Sequence, residues 1–167
     1  MFHLPKSIAC TRGAAVLRRQ EPSDSPFIGA LFRANVAVTL AASGLPQSQI
    51  EALAGMQLRA RDLSYSRTFP DAVGLIAVLE DRPAGRILVA ETPGALHVVD
   101  LAVDPAARRG GIGRGMVQAV MEEAGEGGLG VTAEAMITNL ASLALFDGLG
   151  FRRAGEAGGS IGLAWRS

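Results

Sequence analysis

A chain of 167 residues, 49% hydrophobic and 19% charged, is long enough for one domain around a sizeable core. Sixteen Lys and Arg balance sixteen Asp and Glu, and a formal charge of zero speaks against a nucleic-acid surface, which needs a basic excess. Cys10 is the only cysteine, which excludes an intrachain disulfide or a cysteine-rich metal site, and the separated His3 and His97 do not make a zinc site.

Residues 1–12 read as a loose leader outside a single domain spanning 13–167. Pro5 and Lys6 interrupt the stretch from Phe2 to Cys10, so it makes a poor secretory signal. No run approaches the roughly 20 apolar residues of a membrane span. The expectation is a soluble cytoplasmic domain with no membrane or nucleic-acid partner and no metal.

Ala14 to Arg19 makes a first strand, and Asp24-Ser-Pro26 starts a helix with proline at an early position and Phe27, Leu31 and Phe32 on its apolar face. Val36 to Leu40 is ambiguous between helix and strand. Ser43-Gly-Leu-Pro46 restarts a helix in which Ile50, Leu53, Met56, Ala60 and Leu63 recur at three- and four-residue steps, ending before Pro70. Val73 to Leu79 is a strand, Asp81-Arg-Pro-Ala84 a turn, and Gly85 to Ala90 the hairpin partner. Pro93-Gly94 turns the chain into Leu96–Val103. A helix carrying Ile112, Met116, Val120 and Ala124 follows, broken at Gly125 to Gly128. Leu129, Val131 and Ala133 alternate as a strand. Thr138-Asn139 caps a helix with Leu143, Phe146 and Leu149 on one face, and Gly150 stops it. Ile161, Leu163 and Trp165 alternate in a closing strand.

The segment from Asp100 to Gly115 carries the most chemistry. A strand ends at Pro105, and a glycine-rich turn bearing Arg108, Arg109 and Arg114 opens into a helix. The first N–H groups of a helix lack internal partners and the macrodipole adds partial positive charge, so this is an anion cradle, best suited to a phosphate or pyrophosphate. A Walker A loop requires Lys and a hydroxyl residue after the second glycine; Met116 and Val117 follow Gly115 instead. A dinucleotide fingerprint fits Gly111 and Gly113 but puts Met116 where its third glycine belongs. Glu134, about twenty residues on, is that reading's one support.

Arg108-x-x-Gly111-x-Gly113, after Leu101-Ala-Val-Asp-Pro105, resembles the acyl-coenzyme A signature of the GNAT superfamily of N-acetyltransferases. A second block resembles that superfamily's N-x-x-A-x-x-L-Y-x-x-x-G-F helix at Asn139, Ser142, Leu145, Phe146, Leu149, Gly150 and Phe151. The two blocks span residues 96–151, about a third of the chain. The departures are Ser142 for alanine and Phe146 for a tyrosine often assigned as general acid.

The resemblance implies an α/β (mixed α+β) three-layer fold: a twisted mixed sheet of about six to seven strands flanked by about four helices. Its cleft splays between the strand 96–104 and the strand 129–136, and the pantetheine arm enters there. It implies acetyl-coenzyme A as co-substrate, held by Leu101, Ala102 and Val103 through backbone groups. Arg108, Arg109, Gly110, Gly111, Ile112, Gly113 and Arg114 form the cradle, with Asn139 and Phe146 along the arm. Asn139 also reads as a plain helix cap.

A lysine-like amine, with a pKa of ~10.4, arrives protonated and must lose that proton, so a carboxylate or histidine is needed near the cleft. By position within the superfamily, Glu134 and His97 are the base candidates. Asp100, an acid inside an apolar strand, is a third. Strand alternation puts His97 and Asp100 on opposite faces unless a bulge intervenes. Tyr65 and Arg67, closing the second helix, are candidate acceptor contacts. The acceptor is a small-molecule amine or a protein or peptide amine, and homodimers are common in the superfamily. The rival function is a non-catalytic acyl-coenzyme A sensor or interaction module, with Phe146 marking lost chemistry.

Overall fold

The computed structural model describes residues 6–11, 13–40 and 43–166. Eight strands form one sheet: β1 (Lys6–Cys10), β2 (Gly13–Arg19), β3 (Val73–Leu79), β4 (Arg82–Thr92), β5 (Ala95–Val103), β6 (Gly130–Met136), β7 (Arg152–Ala157) and β8 (Ser160–Trp165). Their order across the sheet is β1-β2-β3-β4-β5-β6-β8-β7. Every neighbouring pair is antiparallel except β5 and β6. Four helices connect them: α1 (Ser25–Leu40), α2 (Gln47–Thr68), α3 (Ile112–Glu126) and α4 (Leu140–Asp147). No described helix is long and apolar enough to cross a membrane.

Alternation sorts the side chains onto two faces. Leu75, Ala77 and Leu79 of β3, Ile87 and Val89 of β4, and Val131 and Ala133 of β6 point into one continuous core with Ile112, Met116 and Val120 of α3 and Phe146 of α4. That stripe on α3 is the one its four-residue spacing predicts. The opposite face carries Ile76, Arg86, Leu88 and His97 and is covered by α1 and α2. The result is helices, sheet, helices.

Three local expectations need correction. The leader expected over 1–12 is in part ordered: residues 6–10 form β1, an eighth strand whose Ile8 is 4% exposed. Its place against α3 depends on Gly115, where a Cβ would sit 3.1 Å from the Ile8 Cβ. The turn expected at Asp81–Ala84 lies one residue earlier. Leu79 pairs with Arg82, so Glu80 and Asp81 alone turn the chain, at φ 50 and 61. That is the geometry of a two-residue hairpin loop whose backbone twist matches the strands, here adopted without glycine or asparagine.

α1 begins at Ser25, where Asp24-Ser-Pro26 places its start, and the ambiguous stretch Val36 to Leu40 continues this helix. Asp24 itself lies in the turn just before it. Its carboxylate accepts from Arg18 twice at 2.8 Å and from the Glu21 N–H at 2.8 Å, and is 4% exposed. The third correction concerns α2. Ile50 and Ala54 are buried and Leu58, Arg61 and Tyr65 half-buried, while Leu53, Met56 and Leu63 face outward. Two apolar stripes share this helix, and the spacing alone did not rank them.

Candidate active site

The cradle forms where β5 gives way to α3. Gly111 precedes the helix at φ 85, in the left-handed region that favours glycine. A Cβ there would lie 3.7 Å from the Cys10 Cα. The Gly110 carbonyl accepts from the Thr11 N–H at 2.8 Å, so the end of β1 buttresses the loop from behind. No side chain caps the helix. The first-turn N–H groups of Ile112, Gly113 and Arg114 therefore stay free for an anionic ligand. These features fit a diphosphate.

The arginines divide by role. Arg108, exposed, folds back on the chain, its Nε donating to the Val103 carbonyl at 3.2 Å and an Nη to Asn35 Oδ1 at 2.6 Å. It ties β5 to α1. Arg109 sits in the turn at φ 63. A guanidinium nitrogen of Arg114 lies 3.6 Å from where a Cβ on Gly148 would stand, close to the end of α4.

The cleft opens beside the cradle. β5 and β6 pair in parallel only from Ala95–Gly130 to Val98–Ala133. Beyond that, β5 continues against β4 alone, with Leu101, Ala102 and Val103 opposite Ile87, Arg86 and Gly85. The edge of β5 that faces β6 pairs with no described strand there; the Val103 carbonyl accepts from Arg108 Nε, and the other backbone groups of this edge are available to a ligand.

A bulge decides which side chains meet in the cleft. Leu88 pairs with Asp100, but Val89 pairs with Val98, leaving Val99 extra. Because Leu88 and Ala90 lie on one face of β4, their partners Asp100 and His97 share a face too. The expected separation of these two residues is thereby corrected. They still hold different company. Asp100 accepts from Arg86 at 2.8 Å and lies 3.6 Å from Arg61. Two guanidiniums lie against it, which makes it their structural counter-ion.

His97 occupies the opposite situation. Its Nδ1 lies 3.0 Å from Thr132 Oγ1, across the last rungs of the parallel pairing, and its ring stacks on Phe69 with centroids 5.5 Å apart. Burial pushes its pKa down from the ordinary value, and the negative charge of Glu134 opposes that shift. A neutral imidazole at pH 7 is ready to accept a proton. Glu134, two residues beyond Thr132 on the same face, is exposed.

The remaining candidates fall around this centre. Tyr65 lines a cavity of about 300 Å³ together with Gln20, Asp62, Phe69 and Arg86. Burial raises the pKa of its hydroxyl, which therefore remains a donor at neutral pH. Arg67 is exposed in the last turn of α2. Asn139 caps α4, accepting the Ser142 N–H at 3.1 Å. Phe146 is 3% exposed, its ring edge-on to Phe151 at 4.9 Å. His3 lies outside the described residues.

Sequence reasoning overlooked Thr132, Phe69, Arg86 and Gln20. Thr132 carried a usable signal: it alternates with Val131 and Ala133, so it must face away from the core they enter. Arg86, buried and bonded through Nε to Gln20 Oε1 at 2.9 Å, is a charge inside an apolar strand. Such a residue demands a partner, which Asp100 supplies. Among the described residues no group of three or more His, Cys, Asp or Glu could hold a metal ion.

The model of the Acetyltransferase (GNAT) family matches residues 48–151, more than half the chain, and the chain belongs to that family. No curated protein sequence matches. Solved structures match in fold. The PaiA N-acetyltransferase from Thermoplasma acidophilum, in complex with coenzyme A, has a TM-score of 0.69 at 15% identity, covering 90% of this chain and 98% of that one. The ribosomal-protein-S18-alanine N-acetyltransferase from Escherichia coli has a TM-score of 0.64 at 18% identity, covering 91% and 93%. A ribosomal-protein-alanine N-acetyltransferase from Brucella melitensis has a TM-score of 0.61 at 22% identity, covering 90% and 99%.

Proposed function

We propose that this protein transfers an acetyl group from acetyl-coenzyme A to an amine, by direct attack in a ternary complex. The observation that carries the reading is the parting of β5 from β6 immediately beyond Val98 and Ala133. It opens a gap with the cradle of α3 at one end and His97 with Glu134 near the other. Loop amides 110–114, with Arg109 and Arg114, would hold the diphosphate. The free edge of Leu101–Val103 would align the pantetheine arm and polarise the thioester carbonyl. Asn139 would stand along that arm, with Phe146 backing it from the core.

The acceptor enters as an ammonium and gives one proton to a base, His97 directly or Glu134 through water. Its freed lone pair attacks the thioester carbon, the C–N bond forms as the C–S bond breaks, and the second proton reaches the departing sulfur. Phe146 offers no hydroxyl for that last delivery. A thiol of pKa ~8.5 is a tolerable leaving group, and water suffices. Asp100 anchors the guanidiniums around the cleft instead of acting on the amine. Tyr65 and Arg67 border the acceptor side, where the ribosomal-protein alanine named for two similar folds makes α-amino peptides natural members of a test panel beside small amines.

Calorimetry should show acetyl-coenzyme A binding at micromolar strength; well-folded protein giving no heat would refute the reading. Thiol release across amines, peptides and aminoglycosides then separates an enzyme from an acyl-coenzyme A sensor, which shows only background hydrolysis. Glu134→Gln should depress the rate at pH 7 and less so at high pH if Glu134 is the base, with cofactor affinity kept. An unchanged pH–rate profile would remove Glu134 and leave His97.

A further inference from the structure

His97 is held on three sides. Nδ1 meets Thr132 Oγ1 at 3.0 Å, the ring face rests on Phe69 at an interplanar angle of 27°, and its backbone sits one rung before β5 and β6 part. Among the described residues Nε2 has no hydrogen-bond partner, yet no side-chain nitrogen or oxygen is both buried and unsatisfied. Nε2 is therefore open to solvent or ligand. A ring so clamped has its two nitrogens assigned different tasks, and the partner of Nδ1 decides which nitrogen keeps the lone pair.

We infer that Thr132 is a positioning residue: its hydroxyl oxygen accepts the Nδ1–H of His97 and fixes the tautomer in which Nε2 presents a bare lone pair at the gap between β5 and β6. This inference rests on the acyltransferase reading for its purpose, though not for its test.

Protonation selects between the two possible senses of the bond. Once His97 takes a proton, both ring nitrogens are donors, and Thr132 must then accept. If it already accepts in the neutral state, proton arrival at Nε2 leaves the bond unchanged, so nothing reorganises during transfer. The opposite sense, with Thr132 donating, would put the hydrogen on Nε2 and leave no lone pair for the substrate. The surrounding charges agree. Glu134 of β6 favours the imidazolium. Asp100 of β5 is neutralised by Arg86 of β4 and Arg61 of α2. Asp62 of α2 pairs with Arg61 at 2.9 Å. Tyr65 of α2 stays a neutral phenol at working pH. Arg33 of α1 lies back over Gly29 of its own helix. Glu134 is thus the one anion in this set without a guanidinium against it.

The test reads the ring itself. Protein labelled with ¹⁵N-histidine is titrated by NMR as wild type, Thr132→Val and Thr132→Ser, with His97→Gln to assign the signal against His3. The wild type should show the Nδ1–H tautomer, the minority form of free imidazole. Thr132→Val should lose that preference and titrate at lower pH, because the cation has lost an acceptor; Thr132→Ser should restore both. A wild-type ring carrying its hydrogen on Nε2, or a Val variant with an unchanged titration, overturns the inference.

Kinetics provide the second arm, with acetyl-coenzyme A and any amine that gives thiol release. Thr132→Val should lower kcat by about 10- to 100-fold, the scale of loss on removing the outer hydrogen-bond partner of a metal-bound histidine. KM for acetyl-coenzyme A should hold and the acid limb should move down in pH; a kcat unchanged in the Val variant contradicts the inference. Absence of coenzyme A binding by the wild type would instead sink the acyltransferase reading and leave the tautomer result standing.

Discussion

Single side chains carry two structural commitments that bench measurements can reach. Asp24 is the first. The paired Arg18 guanidinium holds its carboxyl below the usual carboxylate range, and the Glu21 N–H adds to that. A depressed carboxyl contributes stability that is present above its unfolded value of 3.8 and fades as pH falls through its lower folded value. Asp24→Asn should therefore cost about 2 kcal/mol at neutral pH, where Arg18 loses its charged partner. In denaturant melts the wild type and variant should converge on acidification. Phe146 is the second. At 3% exposure beside Phe151, its ring lies in the core. Phe146→Tyr buries a hydroxyl among apolar groups and should lower stability by about 1–3 kcal/mol without raising turnover. A faster variant would show that the ring edge reaches the cleft.

At this scale the sequence was informative where a residue type is demanded by backbone conformation. Gly111 at φ 85 and the Asn139 cap are of that kind, each readable from local spacing. His97 and Glu134 were recognised as candidates by position. Their environment was not, because it depends on a strand register that brings Thr132 opposite His97 and on a bulge that turns Asp100 onto the same face. No pattern of residues near Val99 announces an extra residue in the ladder.

Among elements, periodicity succeeded for α3 and misled for α2. In α3 one apolar stripe exists, and it is buried. In α2 the expected stripe Ile50, Leu53, Met56, Ala60 and Leu63 obeys the same three- and four-residue rule as the buried set, yet of these only Ile50 is buried, and Met56 and Leu63 are 61% and 51% exposed. The sheet selects the other stripe because Arg61 must reach Asp100 and rest over the Phe32 ring, 4.6 Å from its centroid. A cation pinned on one side fixes the rotation of the whole helix. The stripes make opposite predictions. Leu63→Gln should change stability by no more than about 0.5 kcal/mol, as surface changes do. Ala54→Leu, at a site 1% exposed, should cost about 1–3 kcal/mol through overpacking. Thermal melts of the two variants, with Leu63→Gln the more damaging, would reverse the assigned orientation. β1 escaped sequence reading for a related reason. Only Ile8 of its five residues is buried, and its support comes from the distant Gly115.

Across the whole molecule, the cradle is where segments distant in sequence meet. β1 supports the loop through Thr11, Gly111 fits against Cys10, and Arg108 links the same loop to Asn35 of α1. A ligand that orders this loop therefore couples the N-terminal strand, α1 and α3 to one binding event. Binding to the native state alone stabilises by RT ln(1 + [L]/Kd), about 2.7 kcal/mol at a hundredfold excess over Kd. For a domain of this size that corresponds to a rise in Tm of roughly 5–10 °C. Two substitutions at Gly111 divide the contributions. Gly111→Ala imposes the strain of a Cβ at positive φ, of order 1–3 kcal/mol, and should lower the baseline Tm while preserving some coenzyme A shift. Gly111→Asp adds a negative charge where a diphosphate must sit and should abolish the shift altogether. If both variants melt alike and respond alike to coenzyme A, the loop contributes strain but no binding, and the anion must be held elsewhere on the fold.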